Sequence, residues 1–295
     1  MTGSAPSTSP PSSRGPLLTQ DVILAMRAAL DGGAAHWSGS LDLGRSEDHI
    51  VLGPARWFWR GRDYPWPQTL RERTIYAWDG SGFVVVQRYR TALVKLVPTP
   101  WGAPTFEIDG VKMLPTAAVS PWIDAQRKVA LVAPAGKWIL DTCGGLGYFA
   151  RAACDAAAAH VTSFETSPDV VWLRSLNPWS PDPADSELAT RLRLVQGDVT
   201  EHIAHLPNAS FDAVLHDPPR FGIAGELYAQ VFYDELARVL RPLGRLFHYT
   251  GTPNQRSHGR DLPGEVMRRL ERAGFRAERA LDGVLATRAA SPRPR

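Results

Sequence analysis

Cysteine is scarce in this chain. Only two of the 295 residues are cysteines, Cys143 and Cys154. Two thiols cannot build a disulfide framework or a cysteine-rich metal site, which excludes the small secreted proteins that depend on either. We therefore expect the protein to work in a reducing compartment.

Long hydrophobic runs are also missing. No run approaches the roughly 18 apolar residues with which a helix crosses a bilayer. Residues 1–16 are rich in Ser, Pro and Gly and lack the basic and then apolar pattern of a signal peptide. We expect residues 1–16 to be a disordered tail, residues 289–295 to be a basic tail, and the protein to be cytoplasmic with no membrane partner.

Excess charge of either sign is small, with 33 Lys and Arg against 30 Asp and Glu. Residues 1–135 hold 14 basic and 11 acidic side chains, whereas residues 136–295 hold 19 of each. A binding surface for a polyanion such as RNA would therefore lie in the N-terminal half or the tail.

The N-terminal half is patterned as one helix followed by short strands. Residues 17–30 predict an amphipathic helix with Leu24 and Met26 near one side, and Gly32 and Gly33 predict its end. Up to residue 121, short β-branched and aromatic segments alternate with Gly, Pro and Asp, and residues 79–82 (DGSG) predict a hairpin turn. We expect a small, mostly antiparallel β domain over residues 17–121.

Six of the ten tryptophans fall in that stretch, interleaved with arginines. Such a pattern is typical of surfaces on which nucleic-acid bases stack. A thin β domain also needs large side chains to fill its core, so both interpretations stay open. The six are Trp37, Trp57, Trp59, Trp66, Trp78 and Trp101.

From residue 136 the pattern becomes strand and helix in alternation. Apolar segments such as KWILDT, HVTSFET and FDAVLHD predict strands, and segments such as GYFARAACDAAAA and the long GELYAQVFYDELARVL predict helices. This alternation implies right-handed crossovers and a parallel sheet covered by helices on both faces. The fold class is therefore α/β, with a doubly wound, mostly parallel Rossmann-like sheet over residues 122–288, preceded by the mainly-β domain.

The strongest motif follows the first strand of that region. The strand ends in Asp141, and glycines at 144, 145 and 147 predict a tight turn that leads at once into a helix. Such turns bring backbone N–H groups close to a ligand. A carboxylate beside backbone N–H groups suits an amino-acid moiety, which carries an amine and a carboxylate.

Three further acids follow predicted strands: Glu165, Asp198 and Asp217. Carboxyl ends of parallel strands meet at one edge of the sheet, where α/β folds bind ligands. Glu165 suits ribose hydroxyls and Asp198 suits an adenine amino group. Each acid alone has an alternative interpretation as a helix cap or a loop acid, but their common order along the chain favours a nucleoside site.

The ordered motifs resemble the class I S-adenosylmethionine-dependent methyltransferases over about residues 110–280. Cys143 stands where that family more often has glycine. More narrowly, the combination of LDTCGGLGYFA, LNPWS, HDPPRF, AGELY, HYTG and GRD resembles a group of predicted methyltransferases best represented in archaea. The resemblance implies S-adenosyl-L-methionine as cofactor, held by Asp141, Cys143, Gly145, Gly147, Glu165, Asp198 and Asp217.

The DPPRF segment that begins at Asp217 indicates the chemistry. Methyltransferases acting on nitrogen have a similar turn that presents acceptors to an NH2 group. Here Asp217, Pro218 and Pro219 form the predicted turn and orient the acceptor, with His216 as a candidate base. The predicted substrate contacts are Arg220, Phe221 and Tyr249.

Several alternatives follow from the same residues. RNA C5-pyrimidine methyltransferases share a DPPR turn but need a nucleophilic cysteine after the next strand, where this chain has LFHYTGTP. A packed core position is the alternative for His216, and His248 is a second candidate base. No metal site is expected, since His202 and His205 form the one close histidine pair.

Three functions compete at this stage. The first is a methyltransferase whose nitrogen acceptor is RNA or another substrate, such as a small amine. The second is an aminopropyltransferase of the spermidine-synthase type, which also pairs a small β domain with this fold. The third is a non-catalytic nucleic-acid-binding module. The polar segment 254–264 is a candidate lid, and the sequence does not specify an oligomeric state.

Overall fold

A computed structural model describes residues 15–219, 224–251 and 261–290 of the chain. The chain divides into two compact units, one ending at Val86 and the other beginning at Gln87. Among the described residues, no helix has the length and apolar character needed to cross a membrane.

The first unit contains one helix and two small antiparallel sheets, with strand orders β2-β3-β4-β5 and β1-β6-β7. Thr19 begins the helix, because its side-chain oxygen accepts a hydrogen bond from the N–H of Val22. The elements are β1 (Leu17–Leu18), α1 (Gln20–Asp31), β2 (His36–Gly39), β3 (Asp48–Leu52), β4 (Arg56–Trp59), β5 (Arg62–Pro65), β6 (Tyr76–Trp78) and β7 (Phe83–Val85).

The core of the first unit is aromatic. Trp57 and Trp59 are buried, and the Trp57 ring stacks on Tyr64 with centroids 4.7 Å apart. Arginine guanidinium groups lie over ring faces, with Arg60 4.5 Å from the Trp59 ring and Arg62 5.3 Å from that of Trp78. These contacts favour the core interpretation for Trp57, Trp59 and Trp78, whereas Trp101, in the second unit, is 39% exposed.

The second unit opens with a four-stranded antiparallel sheet, ordered β11-β10-β9-β8, and a helix. The elements are β8 (Gln87–Tyr89), β9 (Leu93–Val97), β10 (Thr105–Ile108), β11 (Val111–Lys112) and α2 (Pro121–Leu131). Ser120 caps α2 and Pro121 occupies its first turn. The sequence placed these strands in the N-terminal domain, whereas residue contacts group them with the second unit.

A seven-stranded sheet follows, in the order β14-β13-β12-β15-β16-β18-β17. The first five of these strands are parallel, and β18 is antiparallel to both its neighbours. The elements are β12 (Trp138–Asp141), α3 (Tyr148–Asp155), β13 (His160–Glu165), α4 (Pro168–Leu176), α5 (Ser186–Ala189), β14 (Leu192–Gln196), α6 (Val199–His202), β15 (Phe211–His216), α7 (Gln230–Val239), β16 (Leu240–Tyr249), α8 (Leu262–Arg272), β17 (Phe275–Ala280) and β18 (Gly283–Arg288), with 3-10 turns at Ile203–His205 and Gly225–Tyr228.

The predicted fold class is confirmed, and two element predictions are wrong. The first helix begins only at Gln20, since Leu17 and Leu18 pair with β6, and Leu24 is half exposed while Ile23 and Met26 are buried. The long helix predicted from Gly225 is broken, because Ala229 is extended and separates a 3-10 turn from α7.

Candidate functional site

The site lies where the strand order of the large sheet reverses. β12 pairs with β13 on one side and with β15 on the other, so the loops that follow β12 and β15 diverge and leave a crevice at their carboxyl ends. Asp141 ends β12, and Asp217 directly follows β15. The two acids singled out from the sequence therefore come from adjacent strands at this crevice.

Asp141 is fully buried and only half satisfied. Its Oδ2 accepts a hydrogen bond from Ser163 Oγ at 2.7 Å, while its Oδ1 has no partner among the described residues. Burial raises the pKa of Asp141 to about 6, against the lowering effects of Ser163, Arg174 and the backbone N–H of Cys143. A buried acceptor oxygen without a donor is costly, so Oδ1 is suited to a donor group of a ligand.

The glycine turn packs too closely for side chains. A Cβ on Gly144 would overlap Ser163 Oγ and lie 2.8 Å from Arg174 Nη2, and a Cβ on Gly147 would lie 2.7 Å from Pro181 Cδ. Gly145 and Gly147 adopt positive φ angles of 50° and 81°. Arg174 fixes the turn by donating from Nε and Nη2 to the Gly145 carbonyl oxygen, at 3.0 and 2.7 Å.

Glu165 ties the second strand to this turn. Its Oε2 accepts from the N–H of Gly145 and its Oε1 from the N–H of Ser167, both at 2.8 Å. Each carboxylate oxygen has a second lone pair, so both can still accept a hydrogen bond from a ligand hydroxyl. Glu165 lines the cavity, in agreement with the place expected for it.

Asp198 caps a helix, which was the alternative interpretation of this acid from the sequence. Its Oδ1 accepts from both the N–H and the hydroxyl of Thr200, each at 2.8 Å, at the start of α6. It is not one of the described residues that line the cavity. Asp198 follows β14 at the same edge of the sheet, and its contact with an adenine amino group stays a prediction.

A cavity of about 250 Å³ occupies the crevice. It is lined by the glycine turn, the acids Glu165 and Asp217, Pro218 and Pro219, and apolar side chains such as Phe106 and Phe149. Cys143 also lines it, and burial raises the pKa of its thiol well above the usual value. That thiol stays protonated at neutral pH, so Cys143 is not an activated nucleophile.

Asp217 lies beside a buried lysine that sequence reasoning did not single out. Lys128 is only 1% exposed, and its Nζ contacts Asp124 Oδ2 at 2.7 Å and Asp282 Oδ2 at 3.0 Å. The same Nζ lies 4.3 Å from the centroid of the Tyr249 ring. We call Asp124, Lys128, Asp217 and Asp282 the ionic cluster.

Charge and burial oppose each other in the ionic cluster. Burial raises the pKa of Asp217 to about 7, although the Lys128 ammonium acts to lower it, and Asp124, Asp282 and Asp141 add to the rise. Burial also raises the pKa of Asp124. For Lys128, burial lowers the pKa, but the attractions of Asp217, Asp124 and Asp282 outweigh it and raise the pKa above the usual value.

His216 and His248 are bound into a buried network instead of facing the cavity. His216 Nε2 lies 3.1 Å from the Leu227 carbonyl and donates to it, which leaves Nδ1 to accept from the Thr142 hydroxyl at 2.7 Å. His248 Nδ1 donates to the Tyr249 carbonyl at 2.7 Å, and its Nε2 accepts from Tyr233 OH at 2.9 Å.

Both imidazoles are therefore neutral and fully hydrogen-bonded. Burial lowers the pKa of His216 well below its usual value and that of His248 to about 4. The prediction of His216 as a catalytic base is wrong for this reason. It positions the loop that carries Asp217, because it connects the ends of β12 and β15 through Thr142.

The remaining predicted residues differ in how far the structure describes them. Tyr249 and Thr250 line the cavity, and burial raises the pKa of Tyr249 to about 12. Pro218 and Pro219 also line it, and the Pro219 carbonyl accepts from Tyr228 OH at 3.0 Å. Arg220, Phe221 and residues 254–260 of the candidate lid lie outside the described residues.

Sequence reasoning missed Asp124, Lys128 and Asp282. Lys128 and Asp124 lie on α2, a helix that the sequence reading did not identify, although Ser120-Pro121 is a helix-start signal. Asp282 lies between β17 and β18. Within the described residues, no group of three or more His, Cys, Asp or Glu side chains is arranged to hold a metal ion.

Comparison with known proteins gives the site a family context. A family model described as a methyltransferase domain matches residues 140–248. An uncharacterized protein of Methanocaldococcus jannaschii is 40% identical over 200 residues, which are 68% of this chain and 67% of that protein.

Two further similarities concern aminopropyl transfer. Polyamine aminopropyltransferase 2 of Streptomyces coelicolor is 38% identical over 68 residues, which are 22% of this chain and 12% of that protein. The crystal structure of spermidine synthase from Thermotoga maritima superposes with a TM-score of 0.53 at 14% identity, over 77% of this chain and 81% of that one. At that identity the structural similarity concerns the fold alone.

Proposed function

Because this chain belongs to the class I S-adenosylmethionine-dependent methyltransferase family, we propose that it transfers a methyl group to a nitrogen acceptor held at Asp217. The observation that carries the proposal is the pairing of two sites across one crevice. Asp141 and the glycine turn lie at the end of β12, and Asp217 follows the adjacent strand β15.

The residues at the end of β12 fit S-adenosylmethionine. Asp141 Oδ1 is a buried acceptor without a partner among the described residues, and it suits the amino group of the cofactor. Gly144 and Gly145 of the glycine turn line the cavity, so the backbone of the turn is open to a ligand there. Glu165 lines the same cavity and would accept from the ribose hydroxyls.

When bound, S-adenosylmethionine supplies a methyl group on a sulfonium, so that an N–C bond forms from the nitrogen lone pair, the S–C electron pair stays on sulfur, and one proton leaves the nitrogen. Asp217 accepts that proton, because its pKa of about 7 lets the carboxylate and the acid interconvert near neutral pH. Tyr228, which donates to the Pro219 carbonyl, holds the turn that carries Asp217.

A labelling experiment tests the proposal. Full-length protein is incubated with S-adenosylmethionine labelled in the methyl group and with cell extract, and label is counted in the RNA, protein and small-molecule fractions. We expect label in one fraction, and its loss with Asp141→Ala, because the loss of that carboxylate removes the partner of the cofactor's amino group.

Glu187→Gln is the matched control. Glu187 is an exposed acid on α5, so this variant should label as the unmodified protein does. Binding of S-adenosylmethionine is measured separately by calorimetry. If the unmodified protein binds it but labels nothing, methyl transfer is wrong, and if Asp141→Ala binds it equally well, the assignment of the site is wrong.

Aminopropyl transfer is the second candidate. The local similarity to a polyamine aminopropyltransferase favours it, although that match covers 22% of this chain. An aminopropyltransferase would use decarboxylated S-adenosylmethionine, which lacks the carboxylate. Calorimetric titration with both compounds separates the two functions, since a methyltransferase should prefer the intact one.

A further inference from the structure

The ionic cluster holds more negative than positive charge. Asp124, Asp217 and Asp282 surround the single ammonium of Lys128. Asp282 Oδ1 is buried and has no hydrogen-bond partner within the described part of the chain. The three acids are partly buried, and three carboxylates that share one ammonium favour a proton or a further cation.

Two of the three acids of the ionic cluster face the cavity. Asp124 and Asp217 both line it, whereas Lys128 lies behind them and does not. Asp217 forms no hydrogen bond or ion pair with the described residues, so its carboxylate is available to a ligand. Lys112 is the described basic residue that lines the cavity; its Nζ donates to Thr116 Oγ1 at 2.8 Å and forms no ion pair with Asp124 or Asp217 within the described residues.

The other walls of the cavity are apolar. Ile108, Val111, Met113 and Leu262 line it, and Tyr249 presents its ring beside the acids. The Tyr249 ring already contacts one cation, the ammonium of Lys128. An apolar cavity with two carboxylates and an aromatic ring at one end suits an alkyl chain that carries a positive charge.

We infer that the acceptor is a small alkyl amine, which enters the cavity as an ammonium ion and is held by Asp217 and Asp124. This inference rests on the proposed function and names its substrate class. The ammonium gives one proton to the Asp217 carboxylate, which becomes the acid, and the neutral amine keeps the lone pair that forms the N–C bond. After transfer the nitrogen carries the methyl group and one positive charge.

The same charges disfavour RNA as acceptor. A phosphodiester brought against Asp124 and Asp217 would meet like charge, and charged neighbours that repel each other across a contact are costly.

Calorimetry with a charged and an uncharged probe tests the inference. Full-length protein at pH 8 is titrated with n-hexylamine, which is protonated at that pH, and with hexan-1-ol, which has a similar shape and no charge. We expect hexylamine to bind at least about tenfold more tightly, because it gains charged hydrogen bonds. Asp217→Asn should remove most of that preference and leave the affinity for hexanol unchanged.

Lys128→Met gives a result of the opposite sign. Loss of the internal ammonium leaves the acids with more uncompensated charge, so hexylamine should bind several-fold more tightly. Glu187→Gln should bind both probes as the unmodified protein does. Circular dichroism checks that each variant is folded, and if Lys128→Met is unfolded, the comparison of the two probes with Asp217→Asn decides alone.

Three outcomes would overturn the inference: equal affinity for the two probes, an unchanged preference in Asp217→Asn, or weaker amine binding in a folded Lys128→Met. Its failure is distinct from that of methyl transfer. Label entering RNA without hexylamine binding overturns the amine acceptor and leaves methyl transfer standing. Hexylamine binding with no label in any fraction overturns methyl transfer and leaves the amine-binding site standing.

Discussion

At the scale of single residues, the site is dominated by two carboxylic acids whose burial is costly. The pKa of Asp141 is raised to about 6 and that of Asp217 to about 7, in both cases chiefly by burial. Both values lie above the unfolded value of about 4, so the folded protein binds these two protons more tightly than the unfolded chain does. Their contribution to stability is therefore largest at low pH and is lost as the pH rises from about 4 to about 7.

Asp217→Asn should stabilise the protein without ligand at pH 8. The amide removes a buried charge that faces one cation, Lys128, and three acids, Asp124, Asp282 and Asp141. We expect the free energy of unfolding to rise by roughly 2–4 kcal/mol at pH 8 and to change little at pH 4, where the folded protein holds the proton and the unfolded chain holds about half of it. Urea denaturation at the two pH values measures this, and an equal effect at both would contradict it.

The same variant should lose activity while it gains stability. A partly buried carboxylate that is needed to bind a substrate lowers the stability of the folded protein, and a neutral side chain of the same shape does not. Asp141 has the complementary role at the cofactor side, where the unpaired Oδ1 stays costly until a donor arrives.

At the scale of elements, the turn between β12 and α3 determines the shape of the cofactor end of the cavity. Gly144 donates to the Phe164 carbonyl at 2.7 Å and packs against Ser163, whose hydroxyl in turn donates to Asp141. The turn, β13 and the carboxylate of Asp141 are thus held by one set of contacts. A substitution at Gly144 would therefore displace the Ser163 hydroxyl, which is the hydrogen-bond donor to Asp141.

Gly144→Ala should therefore weaken binding of S-adenosylmethionine more than it weakens the fold. The new Cβ would overlap Ser163 Oγ and displace the hydroxyl from Asp141. We expect the affinity to fall at least about tenfold and the free energy of unfolding to fall by about 1–3 kcal/mol.

Gly82→Ala is the control for that substitution, because a Cβ there meets no atom within 4 Å. Calorimetry and thermal melting of the two variants measure both effects. A Gly144→Ala protein that binds S-adenosylmethionine as well as Gly82→Ala does would show that the turn does not shape the site.

At the scale of the whole molecule, every residue of the candidate site belongs to the second compact unit. The first unit has a separate core, in which Trp57 and Tyr64 stack. Buried aromatic side chains of this kind supply much of the stability of a small domain.

Trp57→Ala should destabilise the first unit and leave the site intact. Truncation of a buried aromatic costs about 3–5 kcal/mol, whereas Phe58→Ala, on the same strand but 42% exposed, should cost far less. We expect affinity for S-adenosylmethionine to be unchanged in both variants below the melting transition. Calorimetry beside thermal melting tests this, and a loss of affinity in Trp57→Ala alone would contradict it.

Local sequence patterns predicted the architecture and the ends of its strands well. Asp141 and Asp217 could be placed at one edge because the alternation of strands and helices fixes where parallel strands end. The partners of buried polar groups could not be predicted. Lys128 and Asp282 meet through the fold although they are far apart along the chain. Whether His216 faces the cavity or bonds to Thr142 and Leu227 likewise depends on packing, which has no periodic signal in the sequence.

The contact between Lys128 and Asp282 has a consequence for synthesis. A ribosome makes α2 long before it makes the turn between β17 and β18, so Lys128 leaves the exit tunnel with one of its two carboxylate partners still absent. The nascent chain cannot finish burying that ammonium until Asp282 has emerged. A product truncated before residue 282 would also lack β18, which lies between β16 and β17 in the large sheet, and cellular proteolysis would remove it in preference to the longer protein.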